Sequence, residues 1–285
     1  MFNKNNGSMF RVSCVLCIYY DTNPFHLDEA VASIIMQTYQ PIELIIVVDG
    51  NIPEKLLDYL NLLNNKMKSN NINFITIRLE FNLGPGAARN KGVTEATGDL
   101  IAIMDSDDIS RPERFELQVI EFEKNCELSC CGGIIAEFEF DKFKIQSYRI
   151  PKFKHQDIIE QAKLKSPINN VTAMIKKSDF IKVGGYPIKR TSEDYQLWAT
   201  MIGKKMKFTN LNHIIVDVRF NSTNLNNRKG FIIFRDDLMT QKCLYENNIT
   251  NRKGFYINVF LYFCFRFIPS SIKKTILGAF FREKK

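Results

Sequence analysis

Leu100-Ile101-Ala102-Ile103-Met104-Asp105-Ser106-Asp107-Asp108 passes without a break from apolar side chains into three carboxylates within four residues. A short continuous apolar run closed this abruptly reads as a strand buried on both faces, the kind that lies inside a parallel sheet. The carboxylates at its end repel one another and are costly together unless a cation or water offsets their charge. Hard oxygen donors of this type suit Mg²⁺ or Mn²⁺, held through one or two carboxylates while water and substrate phosphates complete the shell. Asp105, Asp107 and Glu116 also fall at the first, third and last positions of an EF-hand loop. That reading fails because Ser110 stands where the loop needs glycine, Pro112 interrupts it, and the preceding segment is a strand. A solvated acidic turn capping the next helix is the purely structural alternative.

Upstream, further apolar β-branched runs at 12–19, 42–48 and 74–79 alternate with stretches of helical character. One of these follows Pro24 with Leu27, Ala30, Val31 and Ile34 on a single face, and another follows Pro53. Repeated strand–helix units predict an α/β fold with a mostly parallel sheet covered on both faces. Ligands of such sheets bind beyond the carboxyl ends of the strands. Those ends are Tyr19 to Asp21, Asp49 with Gly50, and Asp105 to Asp108. Gly84-Pro85-Gly86-Ala87-Ala88-Arg89 imitates a dinucleotide fingerprint, but Arg89 replaces its third glycine and the motif follows the third strand rather than the first. Its glycines suit a tight turn into a helix, with Arg89 and Lys91 available to an anionic ligand.

Downstream the alternation weakens and the chain reads as mixed α+β. A helix is predicted from Pro112 to about Lys124, then a strand from Leu128 to Phe140 broken at Gly132-Gly133, a hairpin partner at 144–150, a strand at 171–175 and a helix at 192–202 capped by Ser192. Glu193 and Asp194 in that helix's first turn either serve the helix dipole or supply a general base. From Arg228 the chain is helical and basic. Its aromatic segment 255–268 is shorter than the ~20 residues a membrane span needs. It reads as an interfacial helix or as one packed on the catalytic domain, ahead of Lys273, Lys274, Arg282, Lys284 and Lys285. The expected domains are 9–222, divided after residue 110 into two halves, and a basic, aromatic helical region at 223–285.

The net charge of +8 favours anionic partners, phosphates or anionic lipid. Nucleic acid is disfavoured because the charge gathers toward the aromatic C-terminus and no base-reading motif is present. Seven cysteines, an odd number, with Cys14 and Cys17 on opposite faces of one strand, read as buried thiols in a reducing compartment rather than zinc ligands or disulfides. The apolar run ending at Tyr20 lacks a small-residue cleavage site, which argues against secretion.

The motifs in their order resemble the family 2 glycosyltransferases of the GT-A fold, specifically the bacterial enzymes of O-antigen and exopolysaccharide assembly of the amylovoran type. The likeness runs through the first strand, Gln37 to Pro41, Asp49, Asn82 to Asn90, Gly98-Asp99, Met104 to Asp108, Arg111 to Phe115, Gly184-Gly185-Tyr186 and Glu193-Asp194. The resemblance implies that 9–110 is a nucleotide-sugar-binding half and 111–222 an acceptor half. It implies nucleoside contacts from Tyr19, Asp49 and Arg89, with Asp105 on ribose or metal. It implies a Mn²⁺ or Mg²⁺ held by Asp107 with Asp105, and Asp194, or else Glu193, as the base of an inverting transfer. It further implies a nucleotide-sugar donor, an undecaprenyl-diphosphate-linked saccharide acceptor, and a peripheral position on the cytoplasmic face of the inner membrane. One departure is Asn169-Asn170-Val171, where relatives often carry Asn-His-Pro. A sugar nucleotidyltransferase and a non-catalytic membrane-surface binding protein are the alternatives; the first needs a Gly-rich basic loop after its first strand, where this chain has Tyr19-Tyr20-Asp21-Thr22.

Overall fold

The structure is a computed structural model that describes residues 10–189, 191–220 and 231–267. Its first half alternates as the apolar runs predict: β1 (Val12–Ile18), α1 (Pro24–Ile35), β2 (Glu43–Asp49), α2 (Glu54–Lys68), β3 (Asn73–Leu79), α3 (Pro85–Glu95) and β4 (Leu100–Asp105). These four strands are parallel, in the order β3-β2-β1-β4. Helices cover both faces, so β2 is buried at every residue and β1 at all but Cys17. One core joins Cys14, Leu16, Leu44 and Ile46 to Leu27, Val31 and Ile34 of α1 and Leu60 and Leu63 of α2. The other face of the same strands, through Val15, Ile45 and Val47, packs on Ala88 and Val93 of α3. Cys14 and Cys17 do face opposite sides. At the end of the sheet away from the site, buried Glu43 accepts from Ser13 Oγ at 2.5 Å and Thr97 N at 2.6 Å. There Asp99 pairs with Arg11 at 3.2 Å, so the Gly98-Asp99 motif serves the scaffold.

The second half adds β5 (Ile109–Ser110), α4 (Arg114–Lys124), β6 (Leu128–Phe138), β7 (Ser147–Arg149), α5 (His155–Ala162), β8 (Met174–Lys176), α6 (Lys177–Val183), α7 (Glu193–Gly203) and β9 (Lys207–Arg219). β8 joins β4 antiparallel, and β6, β9 and β5 follow, giving one mixed nine-stranded sheet among the described residues, with β7 off the edge of β6. Several sequence expectations change here. Gly132-Gly133 does not break β6; the strand is continuous and wholly buried, and the glycines absorb a register shift against β9 instead. Val171 lies in a single 3₁₀ turn, and strand structure begins at Met174. The hairpin partner of β6 is only three residues long. Ser192 does not cap α7 with its side chain; it stands at φ +57° with no such hydrogen bond. Lys91 pairs with Glu95 one turn along α3 and does not face the strand ends. The cysteines are free thiols, but Cys126 is exposed.

α8 (Phe231–Glu246) and α9 (Arg252–Phe267) form an antiparallel pair on the outside of α7. Gln196 Nε2 donates to Thr240 Oγ1 at 3.0 Å, and Leu244 is fully buried. α9 is held by Asn258 and Tyr262, which donate to the carbonyls of Lys163 and Leu164, and by the Arg266–Asp237 ion pair. The aromatic helix therefore packs on the catalytic body by one side while Tyr256, Ile257, Phe260, Leu261 and Phe263 stay exposed on the other. No helix among the described residues is long and apolar enough to cross a membrane. The 223–230 boundary segment and the basic residues from Lys273 to Lys285 lie outside the described residues.

Candidate active site

The carboxyl ends of β1, β2 and β4 meet the N-terminus of α7, and α3 lies between them. Asp49, nearly buried at the end of β2, accepts from the backbone N–H of Leu83 at 2.7 Å and of Gly84 at 2.9 Å. The carboxylate thereby fixes the turn that starts α3. Gly86 lets that helix approach: a Cβ there would lie 2.8 Å from the carbonyl oxygen of Pro187 and 3.4 Å from Glu193. One helical turn on, Asn90 clasps Tyr186 from both sides, donating to its carbonyl at 2.7 Å and accepting from its N–H at 2.8 Å. Gly184, in the left-handed conformation, closes α6 and turns the chain toward this clasp. The Tyr186 hydroxyl donates to Asn170 Oδ1 at 2.9 Å, so the residue that departs from the family pattern supports the clasp.

Arg89 joins the two halves. Its guanidinium donates to Asp105 at 2.9 Å and to Glu193 at 2.8 Å, with its Cζ 5.7 Å from the Tyr186 ring centre. Burial opposes its charge, but Asp105, Tyr186, Cys17 and Glu193 more than restore it, and Arg89 stays ionised. The third glycine of a dinucleotide fingerprint is absent because an arginine is needed here. Glu193 is committed to this pair. Asp194 beside it has no ion pair among the described residues; burial, then the charge of Glu193, pushes its carboxyl up to about 6.

The acidic triplet divides. Asp105 ends β4 against Arg89. Asp108 turns inward, where it is buried and accepts from Arg219 N at 2.9 Å; burial, then the charges of Asp107 and Asp105, holds its carboxyl well above the usual range. Asp107 points outward, and loss of solvation with repulsion from Asp105 raises its carboxyl to about 6. Tyr19, half exposed, has its phenol pushed up by desolvation and by the charges of Asp21 and Asp107, so β1 and β4 present these groups to a common space. Asp105 and Asp107 are hard donors whose mutual repulsion a divalent cation would relieve, and their chemistry fits Mg²⁺ or Mn²⁺. Asp108 is not available to such an ion.

Arg219 and the Arg114 fork are additional supports. Arg219 donates to the Asp107 carbonyl at 3.3 Å and to Glu29 at 2.6 Å, bracing the acidic turn from β9. Arg114, fully buried, donates to the Ile103 carbonyl at 2.8 Å beneath β4. Arg114 is visible in the motif after Pro112; nothing in the pattern around Arg219 marks it.

Acidic side chains at parallel strand ends, a second acidic pair on a facing helix, and an arginine between them stand together at the carboxyl edge of the sheet, where α/β folds bind their ligands, and the glycine pattern of a dinucleotide fingerprint is absent. Residues 13–184 match the model of Glycosyl transferase family 2, over half of the chain, and the chain belongs to that family. It is a glycosyltransferase. Over 93% of its length it is 31% identical to 94% of the UDP-Gal:alpha-D-GlcNAc-diphosphoundecaprenol beta-1,3-galactosyltransferase of Escherichia coli. Over 89% it is 29% identical to 91% of the amylovoran biosynthesis glycosyltransferase AmsE of Erwinia amylovora. Among solved structures it resembles the mannosyltransferase PcManGT of Pyrobaculum calidifontis, in complex with GDP-Man and Mn²⁺, with a TM-score of 0.61 at 11% identity over 95% of this chain and 76% of that one. That last likeness is one of fold.

Proposed function

We propose that the protein transfers a sugar, with inversion, from a UDP-sugar to a saccharide carried on undecaprenyl diphosphate, in the assembly of a bacterial O-antigen or exopolysaccharide. The observation that carries this reading is the division of labour around Arg89. Asp105 and Glu193 are both bound to it, and Asp194 is left unpaired at the junction of the two halves. With its carboxyl at about 6, Asp194 is a carboxylate at neutral pH and still basic enough to take a proton. It accepts the proton of the acceptor hydroxyl, whose oxygen bonds to the anomeric carbon as the bond to the donor diphosphate breaks on the opposite face.

Tyr19, Asp49 and Arg89 border the nucleoside pocket in this reading, Asp49 through the α3 turn it fixes. Asp107 with Asp105 would hold Mn²⁺ or Mg²⁺. When bound, the ion neutralises the departing diphosphate. The match to 94% of the galactosyltransferase supports the donor and the lipid-linked acceptor. The exposed apolar side of α9 supports a peripheral position on the cytoplasmic face of the inner membrane, where such an acceptor lies. In this reading residues 9–222 are the catalytic unit and 223–285 the C-terminal region, in which α8 packs on α7, and α9 on α8 and the end of α5.

The test is nucleotide release from UDP-, GDP- and dTDP-sugars, with and without Mn²⁺ and a GlcNAc-diphosphate-lipid acceptor, beside Asp107→Ala and Asp194→Asn. Release that needs UDP-sugar, metal and acceptor together, and disappears in both variants, is the expected result. Full activity in Asp194→Asn would overturn the assignment of the base.

A further inference from the structure

The turn between β6 and β7 carries two of the most exposed phenylalanines in the described chain, Phe140 at 89% and Phe143 at 85% exposed. The turn is ordered. Asp141 accepts from Phe143 N at 3.0 Å through its side chain and from Lys144 N at 2.9 Å through its carbonyl, and Gln146 N donates back to Glu137 at 2.8 Å. Lys142 lies 5.7 Å from the Phe143 ring centre, and Lys144 flanks the ring on the other side in sequence. The base of the turn adjoins the acidic site: the Phe138 ring sits 4.7 Å beneath Arg219, the residue that braces the Asp107 turn. A cavity of about 290 Å³ lies between Lys142 and Phe143 on one side and Arg111, Pro112 and Asp217 on the other.

We propose that Phe140 and Phe143 form a second membrane contact, inserting into the interface of an anionic lipid surface while Lys142 and Lys144 meet its headgroups, and so turn the mouth of the site toward the bilayer. Two bare phenyl rings held in water by a tight turn gain by leaving it. A sugar platform would be better served by Tyr or Trp, which offer a polar handle; Phe143 between Lys142 and Lys144 has the chemistry of an interfacial lipid anchor, and Phe140, between Glu139 and Asp141, adds apolar area without charge attraction. This rests on the membrane-surface reading above and adds a specific contact remote in sequence from α9.

The single tryptophan, Trp198, is fully buried, which leaves the full-length wild type as a built-in blank for a reporter at the tip. Phe143→Trp is mixed with phosphatidylethanolamine–phosphatidylglycerol vesicles bearing brominated acyl chains. Its emission is expected to shift to the blue and be quenched while that of the wild type is unchanged. Phe140→Ser/Phe143→Ser should lower vesicle partitioning roughly tenfold and leave transfer to a water-soluble acceptor within about twofold of wild type. An unquenched reporter on vesicles that do bind the wild type overturns this contact alone. Emission that answers to the saccharide acceptor and not to lipid makes the tip a glycan platform and overturns it too. A wild type that ignores the vesicles overturns both this contact and the membrane reading, while the transfer assay reads the enzymatic function independently.

Discussion

Arg89 is where the two halves of the site exchange charge, and its neighbours set the pH behaviour of the whole. As the proposed base, Asp194 has to be a carboxylate, so activity should fall as pH drops through about 6, the value to which burial and Glu193 raise it. Glu193→Gln removes the like charge that lifts Asp194 and leaves Arg89, which lowers it, less neutralised. Both effects move the acidic limb of the kcat profile below that of the wild type, whereas a purely structural loss would lower kcat without moving the limb. Asp194→Asn should lower kcat by about 10²–10⁴ with donor affinity unchanged, measured by calorimetry against UDP. Without metal, Asp107, Asp108 and Asp194 all hold protons more tightly folded than unfolded, so thermal stability should rise as pH falls from about 6 toward 4. Mn²⁺ at a hundred times its dissociation constant should then add about 2.7 kcal/mol at pH 7, read as a rise in melting temperature that Asp107→Ala abolishes. The gathering of carboxylates at the end of β4 was legible because clustered charge after an apolar run has few structural uses. The split of roles was not: Asp105, Asp107 and Asp108 are alike in sequence, and only the fold turns Asp108 to Arg219 N and leaves Asp107 outside.

At the level of elements, α3 joins the strand ends to the N-terminus of α7. Its N-terminus is tied to β2 through Asp49, its first turn touches Pro187 and Glu193 at Gly86, and its next turn holds Tyr186 through Asn90. Gly86→Ala puts a methyl 2.8 Å from a backbone carbonyl that has little freedom to yield. We expect a loss of about 1–3 kcal/mol in chemical denaturation and a larger fall in kcat than in donor affinity, because Arg89 is displaced from Glu193 while the Asp49 turn is kept. Equal falls in both would mean that the helix, rather than the junction, is damaged. β1, β2 and β4 could be read from the sequence since strands buried on both faces are nearly all apolar, and the edge strand β3, with no buried residue, from its alternation of Ile75, Ile77 and Leu79 with Thr76 and Arg78. β9 could not. Its burial alternates irregularly through Asn210, Asn212 and His213, and it pairs parallel with β6 across three register irregularities, so no simple period survives. Arg219 sits at the far end of that strand and shared its invisibility.

For the whole molecule, a chain of net charge +8 with no membrane-crossing helix among its described residues would, in the proposed function, reach a lipid-linked acceptor through its surface. α9 is divided in this respect, since one side is structural and the other exposed. Deleting the chain from Phe255 would remove Arg266 from Asp237, which is 3% exposed, and an unpaired buried carboxylate costs about 3–5 kcal/mol. Such a deletion tests folding as much as anchoring. Tyr256→Ser/Phe260→Ser/Leu261→Ser alters only exposed positions, and a chain ending at Phe267 removes the basic residues that follow. The triple substitution should cut vesicle sedimentation with a melting temperature within about 2 °C of wild type, and the binding that remains should fall steeply with salt. The shortened chain should show the opposite: weaker binding at low salt, and a remainder that salt hardly changes, because apolar insertion is not screened. If neither variant changes sedimentation, α9 is a structural helix with an ordinary solvent face, and attachment must come from elsewhere in the chain.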